Sequence, residues 1–129
     1  MPLKTANSPH TVAATVERLL AALEQRRIAV FARVDHAAGA REAGLELADE
    51  QVLIFGDPRV GTGLMQDDPE IGYELPLRLL IWNAGGQTKV GYRPPTELGS
   101  EYSVAPHAEV LARMGGLLEQ LVAEAVARG

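Results

Sequence analysis

Apolar residues at Val12, Val16, Leu19, Leu20 and Leu23 recur at the helical period and make a single face. Just upstream, Ser8-Pro9 reads as an N-cap followed by proline at the first helical position. Downstream, Arg26 and Arg27 put positive charge where the helix dipole favours it, so a helix is expected over about residues 9–26. The period then shortens. Ile28–Asp35 alternates, with Ile28, Val30, Ala32 and Val34 on one side and Phe31, Arg33 and Asp35 on the other, which predicts a strand with one buried face. Residues 3–7 carry a fainter strand pattern. Ala37–Leu47 is alanine-rich and broken by Gly39 and Gly44, a short helix and a turn. Val52–Phe55, apolar on both sides, predicts a central strand.

The run Val52–Leu64, VLIFGDPRVGTGL, ends in a segment rich in glycine, with a proline and a threonine, and reads as a loop built for a sharp turn or close backbone approach. Leu64–Tyr73 follows as a short helical segment. Leu77–Trp82 and Thr88–Arg93 flank Asn83-Ala84-Gly85-Gly86-Gln87 and predict an antiparallel hairpin, stopped by Pro94-Pro95. Pro106 reads as the first position of a long last helix with a broad apolar stripe, Val110, Leu111, Met114, Leu117, Leu118, Leu121, Val122 and Ala125. Gly115-Gly116 lies in its middle. The order β-α-β, three further strands and a C-terminal helix predicts an α+β fold with a mainly antiparallel sheet, in a single domain over residues 1–129.

Composition narrows the function classes. The chain has 129 residues, 47% of them hydrophobic and 22% charged, as in a globular domain. It has no cysteine, which excludes thiolate nucleophiles, disulfides and cysteine metal sites. The start, MPLKTANSPH, lacks an apolar signal core, and no apolar run approaches the length of a membrane span, so a cytoplasmic location without membrane contact is expected. A net charge of −5 and 5% aromatic residues speak against nucleic acid as partner.

Candidate chemistry is sparse. Gly56-Asp57-Pro58-Arg59-Val60-Gly61-Thr62 has the glycine spacing of a phosphate-binding loop, but Thr62 stands where its lysine belongs and Pro58 removes an N–H donor. It serves either as a structural turn or as a pocket rim offering the N–H groups of Gly61 and Thr62 at a helix start. Asp35-His36 joins a carboxylate to an imidazole: either Asp35 caps the next helix and His36 lies on the surface, or the pair does acid–base or ligand work. The histidines have no metal-ligand spacing and no serine sits in a nucleophile-elbow sequence, so no metal and no cofactor are expected.

Three blocks together, TVAATVERLLAALEQRRIAVFARVDHAAGAREAGLEL, VLIFGDPRVGTGLM and ELPLRLLIWNAGGQTKVGY, resemble the domain-of-unknown-function family 302 over nearly the whole chain. The family pattern ends the strand after helix 1 in Asp-His, here Asp35 and His36. Its Phe-Gly-Asn-Pro, Gly-Thr and Met positions match Phe55, Gly56, Pro58, Gly61, Thr62 and Met65, with Asp57 replacing asparagine. Leu75-Pro76-Leu77 matches the Leu-Pro-Leu that opens the next strand, and Asn83 stands where an acidic residue is frequent. The resemblance implies a β-α-β(4)-α domain of TATA-binding-protein-like architecture and a homodimer, and no biochemical activity.

A ligand site is therefore expected where the Asp35-His36 strand end meets the Gly56–Met65 segment, formed by Asp35, His36, Gly56, Pro58, Gly61, Thr62 and Met65. The leading expectation is a homodimer that binds a small molecule or protein partner without catalysis. The alternative is a small acid–base enzyme acting on a carbonyl or ester, with His36 as base and Asp35 orienting it.

Overall fold

The computed structural model describes residues 3–129; the first two residues of MPLKTANSPH lie outside this range. Five strands, β1 (Lys4–Ser8), β2 (Ala29–Asp35), β3 (Glu50–Gly56), β4 (Leu77–Ala84) and β5 (Gln87–Tyr92), form one sheet in the order β1-β5-β4-β3-β2, every pair antiparallel. Helices α1 (Val12–Gln25) and α4 (Ala108–Ala125) pack on one face of it. The short helices α2 (His36–Glu42) and α3 (Pro58–Asp67) are inserted around β3. The frame is the expected β-α-β(4)-α.

Helix α1 starts later than the Ser8-Pro9 pair predicts. Thr11 is the N-cap, its side chain accepting from the Ala14 N–H at 3.1 Å. Ser8 instead ends β1, buried, with its hydroxyl 2.8 Å from that of Thr15. The competition is between a local cap and a place in the ladder opposite Thr88, and the ladder wins. At the other end Ile28 N–H reaches Leu23 O and Arg27 N–H reaches Glu24 O, both at 3.0 Å, with Arg27 at φ 55. This paired closure needs a left-handed residue and usually takes glycine. Helix α2 ends the same way on Gly44, at φ +77.

Two apolar clusters hold the layers together. The larger joins Val16, Leu19 and Leu23 of α1 and Leu118, Leu121 and Val122 of α4 to Leu53, Phe55, Leu79, Ile81 and Val90 of the sheet. The smaller gathers Leu64, Ile71, Leu98, Val104, Leu111 and Met114 beneath α3 and the 3₁₀ turns Pro69–Tyr73 and Pro95–Ser100. Helix α4 serves both clusters, which accounts for the width of its stripe. At Gly115 an added Cβ would lie 3.8 Å from the Pro95 ring, so the glycine is in packing contact with that turn rather than with a second helix.

One further expectation fails, and the central place expected of Val52–Phe55 holds. Strand β2 has no buried face: Val30, Phe31 and Val34 are 39%, 51% and 39% exposed. It is the sheet edge, and a bulge at Phe31 shifts its register, so that Val30 lies opposite Phe55 but Ala32 opposite Ile54. Its alternation is real, but the helical layer does not extend over it. Strand β3 has neighbours on both sides, yet only Gln51, Leu53 and Phe55 are buried, while Val52 and Ile54 stay half-buried on the face away from α1 and α4. The predicted hairpin forms, its turn made by Gly85 and Gly86 at positive φ and tied by Asn83 Oδ1 accepting from Gly86 N–H at 2.7 Å. Pro106 falls in a separate 3₁₀ turn, Ala105–His107, ahead of α4.

Candidate functional site

The glycine segment is a helix. Asp57 caps α3, accepting from Arg59 N–H at 3.0 Å, and Pro58 occupies its first turn, where no N–H is needed. Gly61 and Thr62 therefore sit within the helix. The Gly61 N–H is spent on Asp57 O at 3.3 Å, and the Thr62 hydroxyl donates back to Pro58 O at 2.6 Å on the exposed side. The expected rim of free N–H donors is corrected: helical hydrogen bonding has consumed it.

Beside α3 lies an apolar cleft of about 260 Å³. Gly56, Asp57, Pro58, Val60, Gly61 and Met65 form one wall, and Ile28 and Phe31 from the start of β2 form another. Leu75, Pro76 and Leu77, around the cis Leu75–Pro76 peptide, close a third side, with Met114 and Leu117 of α4 as floor. Gly61 leaves the space open: a Cβ there would meet only Leu75 Cδ1 at 3.6 Å and Met65 Cε at 3.8 Å. Asp57 is the single charged residue of the lining among the described residues. Its carboxylate lies 3.0 Å from the Arg59 guanidinium, whose hydrogen bonds hold it below the usual aspartate range.

Four of the expected site residues, Gly56, Pro58, Gly61 and Met65, thus line one cleft. Thr62 faces away. Asp35 and His36 lie at the other end of the β2–β3 ladder, where Asp35 pairs with Gln51 while Ala29 pairs with Gly56. Five residues of strand rise separate the two ends, about 17 Å. Asp35 caps α2, its Oδ1 accepting from Ala38 N–H at 2.9 Å, and both side chains are exposed. The expected junction does not form within one chain, because β2 runs away from the cleft before it reaches Asp35.

Sequence reasoning assigned Phe31, Leu75, Leu77, Met114 and Leu117 no part in a site. The last two read as ordinary stripe positions, since periodicity reports which face is apolar and not which part of it remains uncovered. It also missed an ion cluster. Arg93 binds Glu74 at 3.0 Å, Glu97 at 3.2 Å, and Glu101, while the Tyr102 hydroxyl donates to Glu74 at 2.9 Å. Hydrogen bonds donated to the carboxylates of Glu101 first and then Glu97, with the charges of Glu101 and Glu74 beside them, raise the Arg93 guanidinium above its ordinary range. The spacing Arg93, Glu97, Glu101 was the available signal. The cluster pins the 3₁₀ turns Pro69–Tyr73 and Pro95–Ser100 to the end of β5. Among the described residues no group of three or more His, Asp and Glu could hold a metal ion, and no helix is long and apolar enough to cross a membrane.

Three relatives from Brucella species are each 43% identical to this chain over 109 residues, 84% of its length. Those of Brucella suis and Brucella abortus are named fluoride-specific ion channel FluC 1, and that of Brucella melitensis FluC 2. The chain spans only 43% of the first and 40% of the other two. Among solved structures, an uncharacterized conserved protein DUF302 from Bacillus stearothermophilus shares the fold at TM-score 0.85 and 23% identity, over 97% of this chain and 98% of that one. Residues 4–121 match the family described as Domain of unknown function DUF302, and the chain belongs to that family.

Proposed function

We propose that the domain is a non-catalytic, cytoplasmic binding module, a homodimer that takes a small apolar molecule or apolar side chain into the cleft between Phe31, Met65 and Met114. The cleft itself carries this reading. Its walls are apolar but for Asp57, which is already paired to Arg59. A volume of about 260 Å³ lies near the lower end of small-molecule sites, which start at about 300 Å³, and above the roughly 150 Å³ that accommodates benzene in an apolar cavity. Acid–base chemistry gains no support within a chain, since Asp35 is committed to a helix cap and His36 is remote from the cleft.

Titration with anilinonaphthalene sulfonate, displaced by straight-chain alcohols, tests the cleft. Saturable binding that Gly61→Leu abolishes, with near-ultraviolet circular dichroism unchanged, is the expected result. Equal binding by Gly61→Leu and the native chain would refute the site. For the homodimer, sedimentation equilibrium should return twice the 13.8 kDa chain mass at micromolar concentration.

The Brucella relatives favour a second reading, an accessory role beside an ion channel. Less than half of each relative matches this chain, and none of the helices described here could span a bilayer. On this reading the ion path belongs to the unmatched part. Calorimetric titration with sodium fluoride should then give no binding heat, whereas a saturable signal would move ion recognition into this domain.

A further inference from the structure

The two edges of the sheet differ in character. Strand β1 presents Lys4, Thr5 and Asn7, with Lys4 tied to Glu119 of α4. Strand β2 presents Val30, Phe31 and Val34, and the segment leading from α2 to β3 adds Leu45 and Leu47, 66% and 45% exposed. Natural edge strands discourage pairing with proline, lysine, bulges or inward charge; β2 contains no proline or lysine, and its bulge at Phe31 and its inward charges confine the stretch free to pair to Arg33–Asp35. Its charges are Arg33 and Asp35, one of each sign, flanking Val34.

We propose that β2 pairs antiparallel with β2 of a second copy of this chain, about a twofold axis at Val34. This deepens the homodimer reading above and rests on it. Such pairing sets Arg33 opposite the partner's Asp35, and Asp35 opposite the partner's Arg33, both on the helical side of the sheet with Leu53 and Gln51. The groups are available. Arg33 Nε donates to Gln51 Oε1 at 2.9 Å and Nη1 lies 3.6 Å from Glu17, while Nη2 makes no hydrogen bond among the described residues. Asp35 uses Oδ1 for its cap, and Oδ2 makes no hydrogen bond among them either.

The bulge selects the axis. A twofold axis at Ala32 would oppose Val30 and Val34, but the shift at Phe31 puts Val30 on the helical side with Phe55 and Val34 on the outer side with Val52. An axis at Val34 has no such conflict. It also joins the outer apolar row Leu80, Val52, Val34 to the same row of the partner, in one continuous antiparallel sheet. The ladder between copies ends at Asp35, where α2 begins.

The chain has no cysteine, so single-cysteine variants report cleanly. Opposed residues at the axis have Cα atoms about 4.5–5.5 Å apart, within disulfide range. Val34→Cys should cross-link to a covalent dimer under mild oxidation, and Thr5→Cys on the β1 edge should not. Arg33→Glu should raise the dimer dissociation constant more than about tenfold by facing two carboxylates. Mixing Arg33→Glu with Asp35→Lys chains should restore association as a heterodimer, with far-ultraviolet circular dichroism confirming that each variant folds. A native dimer in which Val34→Cys stays uncrosslinked would overturn this geometry while leaving the homodimer standing. A native monomer would overturn both. Dye titration of the cleft reads the binding site separately.

Discussion

Gly61 and Gly63 lie within a ten-residue helix, where glycine is unfavourable, so replacing them separates the helix reading of this segment from the loop reading. Neither has positive φ, and a Cβ at Gly63 would meet nothing within 4 Å. Gly63→Ala should therefore gain only helix propensity, about 0.8–1.0 kcal/mol. Gly61→Ala gains the same, and its methyl makes ordinary contact with Leu75 at 3.6 Å and Met65 at 3.8 Å. A fully buried methyl adds about 0.8 kcal/mol, so a half-open position gives a total of about 1–1.5 kcal/mol. For a domain of this length each kcal/mol corresponds to about 3–5 °C in melting temperature. Differential scanning calorimetry should show both variants raised, Gly61→Ala the more. Dye affinity should fall only in Gly61→Ala, because only that methyl enters the cleft. Destabilisation by Gly63→Ala, or equal dye affinity in the two variants, would refute the reasoning.

Arg27 holds the left-handed position that closes α1, so Arg27→Gly should stabilise by about 0.5–1 kcal/mol despite a more flexible unfolded chain, read from urea denaturation. Asp35→Ala should cost about 1 kcal/mol by removing the α2 cap, a stability loss visible in the same assay without ligand. At Gly91 a Cβ would lie 3.1 Å from the Trp82 ring and 3.2 Å from Leu3. Gly91→Ala should therefore destabilise by about 1–3 kcal/mol, with a changed tryptophan emission spectrum. The pH profile has two flanks. Hydrogen bonds from Lys4, Arg26 and Arg59 depress Glu119, Glu124 and Asp57 below 4.5, 4.5 and 3.8; depressed acids stabilise above their unfolded values, so the urea midpoint should fall as pH drops through this range. Tyr102 is raised above 10.0 by its bond to Glu74, so its contribution is present below pH 10.0 and lost as pH rises through the folded value.

The sequence by itself determined the element order, because periodicity is a local property. Val12 to Leu23 reads as a helix, the glycine turn at Gly85-Gly86 reads as a hairpin, and both form as read. It also determined that Gly56, Pro58, Gly61 and Met65 belong together, since they lie on one short stretch of chain. It misjudged the stretch itself: Asp57-Pro58 is a helix start, and the glycines obscured it. Only the tertiary structure decided which alternating strand is covered. Val52–Phe55, apolar on both sides, reads as central and is, but the alternation of Ile28–Asp35 promises a buried face, whereas β2 is the edge that the helical layer leaves bare. Burial depends on what other segments lie above a strand, and no local pattern encodes that. The same reason separates Asp35-His36 from the cleft: their distance is set by the direction of β2 along the ladder, which exists only once the sheet has assembled.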